Sequence, residues 1–528
     1  MRSVSTDSPI GSWPSRFLLP LAILLALLLS ALNLWFGPLN QDEGWYLYSA
    51  RLIAQGRLPF IDFASTQGPV MSFVYALLWA PLQGMGLAGG RLVTGLLGWG
   101  AAGLAALLAA RLAGTDRAAR RAAAFAAFTL IGVNVTHSYF TTIVKTYALG
   151  GLLLTAAFLA LHNGTTASRR RPGWTALAGL LFALGAGCRA SLVMTLPVVF
   201  LWLAHRRYRN RCAVCPWTFA LAAACGMLAI FGPFLVAAPQ ALWFGMVDYH
   251  AGREAGSLAA ALAYKAAFVL RTAHAYFVPL ALLLVTWFSR GRAPTSDAAS
   301  IRPPLRVPLA CSVILISLLH FMAPFPYDDY QAIVFPLLAV LVAVGLTPLL
   351  QRAGLRWLLL LLCLMASFSS PRCQEWFAAP RDRIWWPMRS QSALAQLRAT
   401  AATLREAAGP ERLLLTQDTY LAVEAGLDLP AGMEMGPFCY YPDWTRARAE
   451  TCHVLNRDML TELLATTPAS QAAFSAYGLS IASPAVQPIP PDETRRLQAL
   501  LESRYTPTAT MPAFGQAQTT LKLYRQSE

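Results

Sequence analysis

A chain of 528 residues that is 56% hydrophobic and only 13% charged is not a soluble globular protein, since those carry about 25% charged residues. The formal net charge of +16 would suit a nucleic-acid binder. Its basic residues, however, fall in short clusters between apolar segments, the pattern of a polytopic membrane protein with positive cytoplasmic loops, and no polyanionic partner is needed to explain them.

In chain order, FLLPLAILLALLLSALNLWFG comes first. It is longer than a signal-peptide core and has no small-x-small cleavage site, so it reads as a retained first span. Arginine clusters follow at Arg111, Arg117, Arg120 and Arg121; at Arg169 to Arg171; at Arg206, Arg207, Arg209 and Arg211; at Arg290, Arg292, Arg302 and Arg306; and at Arg352 and Arg356. Placing these in the cytoplasm with Arg2 and Arg16 predicts spans near 16–37, 90–111, 121–136, 141–162, 172–187, 190–205, 214–237, 266–289, 306–323, 330–350 and 354–370. That makes an α-helical polytopic membrane protein of about 11 transmembrane helices, with the N-terminus cytoplasmic and the C-terminus outside. The apolar segment 69–83 does not cross in this scheme, because crossing would invert every later cluster. It belongs to a long outer loop from about 38 to 89, lying in the interface or re-entering.

The same parity places Asp42, Glu43, Asp62, Asp248, His250, Arg253, Glu254, Asp328 and Asp329 on the outer face, which is where chemistry is expected. Asp42-Glu43 directly follows the first span. Ionisable groups near hydrocarbon are costly and point to function; the competing reading is a helix N-cap before GWYLYSARLIA. Arg189, between two short helices in CRAS, either snorkels to headgroups or binds an anion. MVDYHAGREAG supplies His250 and Arg253, as a substrate-covering loop or an interfacial segment. Tyr327 and Tyr330 flank Asp328-Asp329, and RDRIWWPMR is aromatic; both sites suit interface anchoring.

From about residue 371 the composition turns polar. RLLLTQ and TTLKLYR read as strands, NRDMLTELLAT and DETRRLQALLESRY as amphipathic helices. The organisation is therefore a membrane domain over 1–370 and a small α/β extramembrane domain over 371–528. Whether Cys439 and Cys452 pair depends on the compartment: an oxidising one would let them form a disulfide. Cys212-Ala-Val-Cys215 has metal-ligand spacing without a second pair, and Asn134-Val-Thr136 is a glycosylation sequon.

The order of these features carries a resemblance. A first span, then DEGWYLYSARLIAQGRLPF, then QGPVMSFVYALLW, then GRLVTGLLGWGAAGLAALLAARLAG resembles the GT-C membrane glycosyltransferases. Within them it is most similar to the bacterial branch of glycosyltransferase family 39: protein mannosyltransferases, aminoarabinose transferases of lipid A, and lipopolysaccharide-core sugar transferases. GLLFALGAGCRASLVMTLPVVFLWLAHRR and PFPYDDYQAIVFPLLAVL add to the match, which covers roughly residues 15–370.

The resemblance implies an inverting transferase of the bacterial inner membrane. It would move a sugar from a polyprenyl-phosphate donor to a hydroxyl of a lipid, glycan or protein acceptor on the outer face. It implies Asp42 as general base with Glu43 as partner, Arg189 and Lys145 as cations for the lipid phosphate, and Tyr46, His250, Arg253, Tyr327 and Tyr330 as further substrate contacts. Many family members carry a second acidic residue where this chain has Lys145-Thr146. That departure puts in doubt a divalent metal bridging two loops, which stays an open alternative, and lets the lysine stand in for a cation's charge; no cofactor is certain. Two rival classes are a transporter or flippase for lipid-linked sugars, which predicts a pseudo-repeat that the sequence does not show, and a non-catalytic envelope-assembly protein.

Overall fold

The computed structural model describes residues 15–166, 171–208, 215–253, 257–290, 305–377, 391–475, 478–483, 487–516 and 518–527. Arg2, Arg169, Arg170, Arg209, Arg211, Cys212, Glu254, Arg292, Arg302 and the segment 381–389 lie outside them.

The chain opens with α1 (Leu18–Phe36), α2 (Gln41–Ala54), and the short α3 (Val70–Leu77) and α4 (Trp79–Leu82). Then come α5 (Gly86–Leu112), α6 (Arg117–Gly132), α7 (Val135–Phe140), α8 (Thr146–Thr166), α9 (Pro172–Cys188), α10 (Thr195–Tyr208) and α11 (Cys215–Ala237). The remainder of this part is α12 (Pro239–Trp243), α13 (Tyr249–Ala251), α14 (Leu258–Ala275), α15 (Phe277–Arg290), α16 (Arg306–Met322), α17 (Phe335–Leu350) and α18 (Ala353–Phe377). Local chemistry sets several starts: Asp116 Oδ2 accepts the Ala119 N–H at 2.8 Å to cap α6, and Pro172 occupies the first turn of α9, where its missing N–H costs nothing.

Four of these helices, α1, α5, α8 and α11, are long and apolar enough to cross a membrane, or five counting the α14–α15 pair. The chain is a multi-pass membrane protein. Shorter apolar helices fill the expected positions at 172–187, 190–205, 306–323, 330–350 and 354–370, and α6 stands near 121–136. The straight span expected over 266–289 is instead two helices bent by 80°. Pro279 explains the break, because its ring cannot continue α14 but fits the first turn of α15. The expected span 121–136 ends at Gly132, 141–162 begins at Thr146 and 330–350 begins at Phe335; the segments before the last two, including the 3-10 turn Asp328–Ile333, carry the site residues Lys145 and Asp329.

After residue 391 come α19 (Ala393–Glu406), β1 (Leu414–Thr416), α20 (Thr419–Ala425), α21 (Arg446–Thr451), α22 (Arg457–Thr466), β2 (Gln471–Phe474), β3 (Ile481–Ala482), β4 (Gln487–Pro488), α23 (Pro491–Glu502), β5 (Tyr505–Phe514) and β6 (Thr519–Gln526). A four-stranded sheet runs β1-β2-β6-β5, with β1 parallel to β2 and the other pairs antiparallel. The sequence signal singled out β1, α22, α23 and β6. It missed β5, a largely exposed edge strand carrying Pro507 and Pro512, since prolines are tolerated at edges but obscure the strand pattern.

This segment is welded to the membrane part. One continuous apolar core runs from Trp45, Leu47 and Tyr48 of α2 through Met71 and Leu87 to Leu394, Leu421, Phe438 and Leu523. Gly44 lies so close to α20 that a Cβ there would meet Tyr420 N at 2.2 Å. Arg51 pairs with Asp428 at 2.7 Å, and the Leu429 N–H donates to Tyr48 Oη at 2.8 Å. A second core packs α1, α5, α6, α8, α9, α10, α16, α17 and α18 against one another.

Candidate active site

The first turn of α2 separates the two adjacent acids. Asn40 is the N-cap: its Oδ1 accepts the Asp42 N–H at 3.1 Å, while Glu43 Oε2 accepts the Asn40 N–H at 3.0 Å. This capping box satisfies two backbone donors that the helix leaves orphaned. Consecutive helical residues point about 100° apart, so Asp42 and Glu43 face different surroundings.

Glu43 faces inward and is 0% exposed. Arg91 clasps it, Nε to Oε1 at 2.8 Å and Nη2 to Oε2 at 2.7 Å. The remaining Arg91 donors go to the Leu34, Gly37 and Pro38 carbonyls at 2.9–3.0 Å, so all five guanidinium N–H groups are used. Oε1 also accepts the Val144 N–H at 3.1 Å. Glu43 therefore has no face toward substrate; it holds the turn bearing Asp42 and the loop bearing Lys145. Sequence reading missed Arg91, whose only signal is a lone arginine near the start of an apolar span.

Asp42 faces the open side. Lys145 Nζ lies 3.1 Å from Asp42 Oδ2 and donates to Asp329 Oδ2 at 2.7 Å. Tyr147 Oη donates to the same Asp329 oxygen at 2.8 Å, leaving Asp329 Oδ1 buried without a partner. Asp329 stands in the 3-10 turn Asp328–Ile333. It is the second carboxylate of the site, and the sequence marked it only as one of two acids between tyrosines.

Arg189 follows α9 and is held between two rings, its guanidinium carbon 5.0 Å from the Tyr147 centroid and 4.5 Å from that of Tyr330. Nη1 donates to Thr146 Oγ1 at 3.3 Å, and Nε is buried with no partner. No carboxylate pairs with Arg189 among the described residues. Its place is set by a close approach, since a Cβ on Gly68 would meet the Gly187 carbonyl at 2.0 Å.

The other expected contacts gather around the same cluster. Tyr46 is buried and stacked on Trp45 at 4.5 Å, and the charges of Asp42, Arg189 and Lys145 all act on it. Tyr330 feels Arg189, Asp329, Arg253 and Lys145. Tyr327 is 46% exposed and meets Tyr330 edge-on at 5.6 Å. Arg253 Nη2 donates to Tyr249 Oη at 2.8 Å, and its Nε is buried and unpartnered.

His250 Nε2 lies 2.9 Å from the Thr66 carbonyl. A carbonyl only accepts, so Nε2 carries the proton. Burial pushes this imidazole down to about 4, so at neutral pH His250 contributes no positive charge. Behind it, Phe244, Tyr249, Phe438, Tyr441 and Trp444 form a chain of edge-to-face contacts, and Phe438 reaches Trp45 at 6.4 Å. The C-terminal segment thus backs both α2 and the Arg253 loop.

The residues do not suit a bound divalent metal: among those described, no group of three or more His, Cys, Asp or Glu is placed to hold one, and the two site carboxylates converge on an ammonium. Cys439 and Cys452, left open by the sequence, are both free thiols. Cys439 sits instead beside Leu455, whose N–H donates to its carbonyl at 2.8 Å.

No family model and no curated protein matches the chain. Solved structures do. ArnT from Cupriavidus metallidurans bound to undecaprenyl phosphate superposes with a TM-score of 0.60 at 13% identity, over 96% of this chain and 97% of that one. Apo ArnT from the same organism gives 0.61 at 14% identity over the same shares. An oligosaccharyltransferase from Archaeoglobus fulgidus, in complex with Zn and sulfate, gives 0.49 at 14% identity, over 94% of this chain and 72% of that one. The likeness to ArnT is one of fold.

Proposed function

We propose that this chain is an inverting glycosyltransferase of the bacterial inner membrane, transferring a sugar from a polyprenyl-phosphate donor to a hydroxyl of a lipid, glycan or protein acceptor. The observation that carries the reading is a cluster on the open side of α2: a carboxylate, Asp42, paired with Lys145, and a guanidinium, Arg189, that shares the Tyr147 ring with that lysine and pairs with no carboxylate among the described residues. The ArnT fold, solved with undecaprenyl phosphate in one case, supports a lipid-phosphate donor. The eleven-span topology, with the site on the outer face and 371–528 outside, belongs to the same proposal.

In this mechanism the acceptor oxygen attacks the anomeric carbon, and Asp42 takes the hydroxyl proton, a transfer that needs a base within hydrogen-bond reach. The anomeric C–O bond breaks with its electron pair going to the phosphate oxygen, and a single displacement inverts the configuration. Arg189 meets the charge that grows on the departing phosphate; its planar fork suits phosphate oxygens, and the flanking rings fix it in place. Arg253, held on Tyr249, adds a second positive charge near Tyr330. Lys145 and Asp329 hold Asp42 at the cluster. Neutral His250 orients its loop through Thr66.

The test is transfer of radiolabelled sugar from polyprenyl phosphate to endogenous acceptors in membranes, comparing wild type with Asp42→Asn at equal expression. Transfer that Asp42→Asn abolishes while donor binding persists is the expected result. A fully active variant overturns the base assignment. No transfer from any donor overturns the enzyme reading in favour of a transporter.

A further inference from the structure

We infer that Lys145 is a built-in replacement for a divalent cation, occupying a two-carboxylate site that would bind metal if the lysine were removed. The inference rests on the transferase reading for its functional consequence but not for its binding test.

The geometry is that of a cation site with an ammonium at its centre. Asp42 on α2 and Asp329 in the turn before α17 are 287 residues apart in sequence, yet Oδ2 of each lies on Lys145 Nζ, at 3.1 and 2.7 Å. Like charges brought that close repel, and the repulsion is strong where water is scarce. Side chains of Lys145 and Asp329 are 9% and 10% exposed, so a cation between them is required for the turn and the helix to meet. The ammonium meets that need.

It also excludes a metal. A hard divalent ion needs carboxylate oxygens at about 2.0–2.6 Å and several further oxygen ligands. Its position would coincide with Nζ, and the lysine charge would oppose it. One feature of the site is nevertheless unused by the lysine: Asp329 Oδ1 is buried and accepts no hydrogen bond. That oxygen is ready-made ligand capacity, with the Tyr147 hydroxyl beside its twin oxygen.

The substitution has a consequence for substrate handling. An ammonium has three donors, and the two carboxylates take two of them. The third N–H remains for a phosphate oxygen of the donor, next to Arg189: the Tyr147 ring lies 5.5 Å from Nζ and 5.0 Å from the Arg189 guanidinium carbon. Unlike a metal, this cation cannot be lost to a chelator or exchanged for another ion.

The experiment uses the full-length protein in lipid nanodiscs, with Mn²⁺ as the probe read by electron paramagnetic resonance. Wild type should bind no Mn²⁺ at the site, and its transfer rate should be unchanged by EDTA. Lys145→Ala should bind one equivalent of Mn²⁺, and the double variant Lys145→Ala/Asp329→Asn should not. Transfer by Lys145→Ala should fall by about 100-fold, the size of a lost electrostatic contact at a reacting centre, and recover in part with Mn²⁺. Lys145→Arg should remain metal-free with transfer reduced less than Lys145→Ala.

Two results overturn the inference: a wild type that binds one Mn²⁺ or loses activity in EDTA, and a folded Lys145→Ala that binds none. The wild-type arm stands even if Lys145→Ala fails to fold. The Mn²⁺ signal is read without turnover, so its failure is distinguishable from failure of the transferase reading.

Discussion

The two sides of the first turn of α2 differ in what surrounds an acid. On the sealed side, Glu43 and Arg91 are both 0% exposed and satisfy each other, with backbone groups taking every remaining donor of the arginine. On the open side, Asp42 is 25% exposed and shares Lys145 with Asp329, while Arg189 has a buried Nε that bonds to nothing. Complete satisfaction fixes geometry, and incomplete satisfaction leaves room for a ligand. Neighbouring carboxylates of similar chemistry are thereby divided into a positioning group and a candidate base.

The sharpest way to break this contrast is to neutralise each acid in turn. Asp42→Asn should leave a folded protein with kcat reduced about 10²- to 10⁴-fold, the usual worth of a general base. Glu43→Ala should instead strand the buried Arg91 charge and cost about 3–5 kcal/mol of stability, seen as loss of monodisperse protein in detergent. A folded, stable Glu43→Ala protein would remove the distinction between the two sides.

Next in size is the free guanidinium. Arg189→Ala should raise the donor KM about 10- to 100-fold through loss of charge-assisted hydrogen bonds. Arg189→Lys should recover little of it, because an ammonium neither forks to two oxygens nor stacks between Tyr147 and Tyr330. An Arg189→Lys enzyme with wild-type KM would mean that only charge matters there.

A smaller effect is expected where α2 meets the C-terminal segment. Gly44→Ala places a methyl against the backbone of Tyr420, an overpacking that typically costs about 1–3 kcal/mol. Limited proteolysis should show residues 419–429 cleaved faster, with transfer lowered by displacement of Asp42, two residues away.

The smallest effect concerns pH. Glu434 is 3% exposed, its Oε2 is unpartnered, and burial raises its pKa despite Arg57 at 3.4 Å. For an acid with a raised folded pKa, stability is full below the unfolded value and is lost as pH rises through the folded one. Glu434→Gln should therefore melt higher than wild type at pH 8, with the difference shrinking toward pH 4. A gap of constant size across that range would contradict the ionisation account.

Much of the membrane part was legible because the signals are local. Apolar runs and arginine clusters located the long apolar helices α1, α5, α8 and α11 and the shorter ones α9, α10, α16, α17 and α18, and Asp42, Lys145 and Arg189 were singled out by residue type and order. The breaks were less legible. Pro279 offered a clue to the bend after α14, but the Asn134 cap that starts α7 through the His137 N–H reads like any polar residue in a loop. In the C-terminal segment, helices with one apolar face stood out, whereas β5 did not.

The sequence by itself determined that the chain enters the membrane repeatedly and that its C-terminal segment mixes amphipathic helices with strands. These follow from composition and short-range periodicity, which need no knowledge of contacts. Only the tertiary structure decided that Glu43 is sealed by Arg91, that Asp329 is the second carboxylate, and that Lys145 joins it to Asp42. Those pairings span 48, 184 and 103 residues of sequence. Whether an acid is buried and what neutralises it depend on which distant segments fold against it, and no local pattern records that.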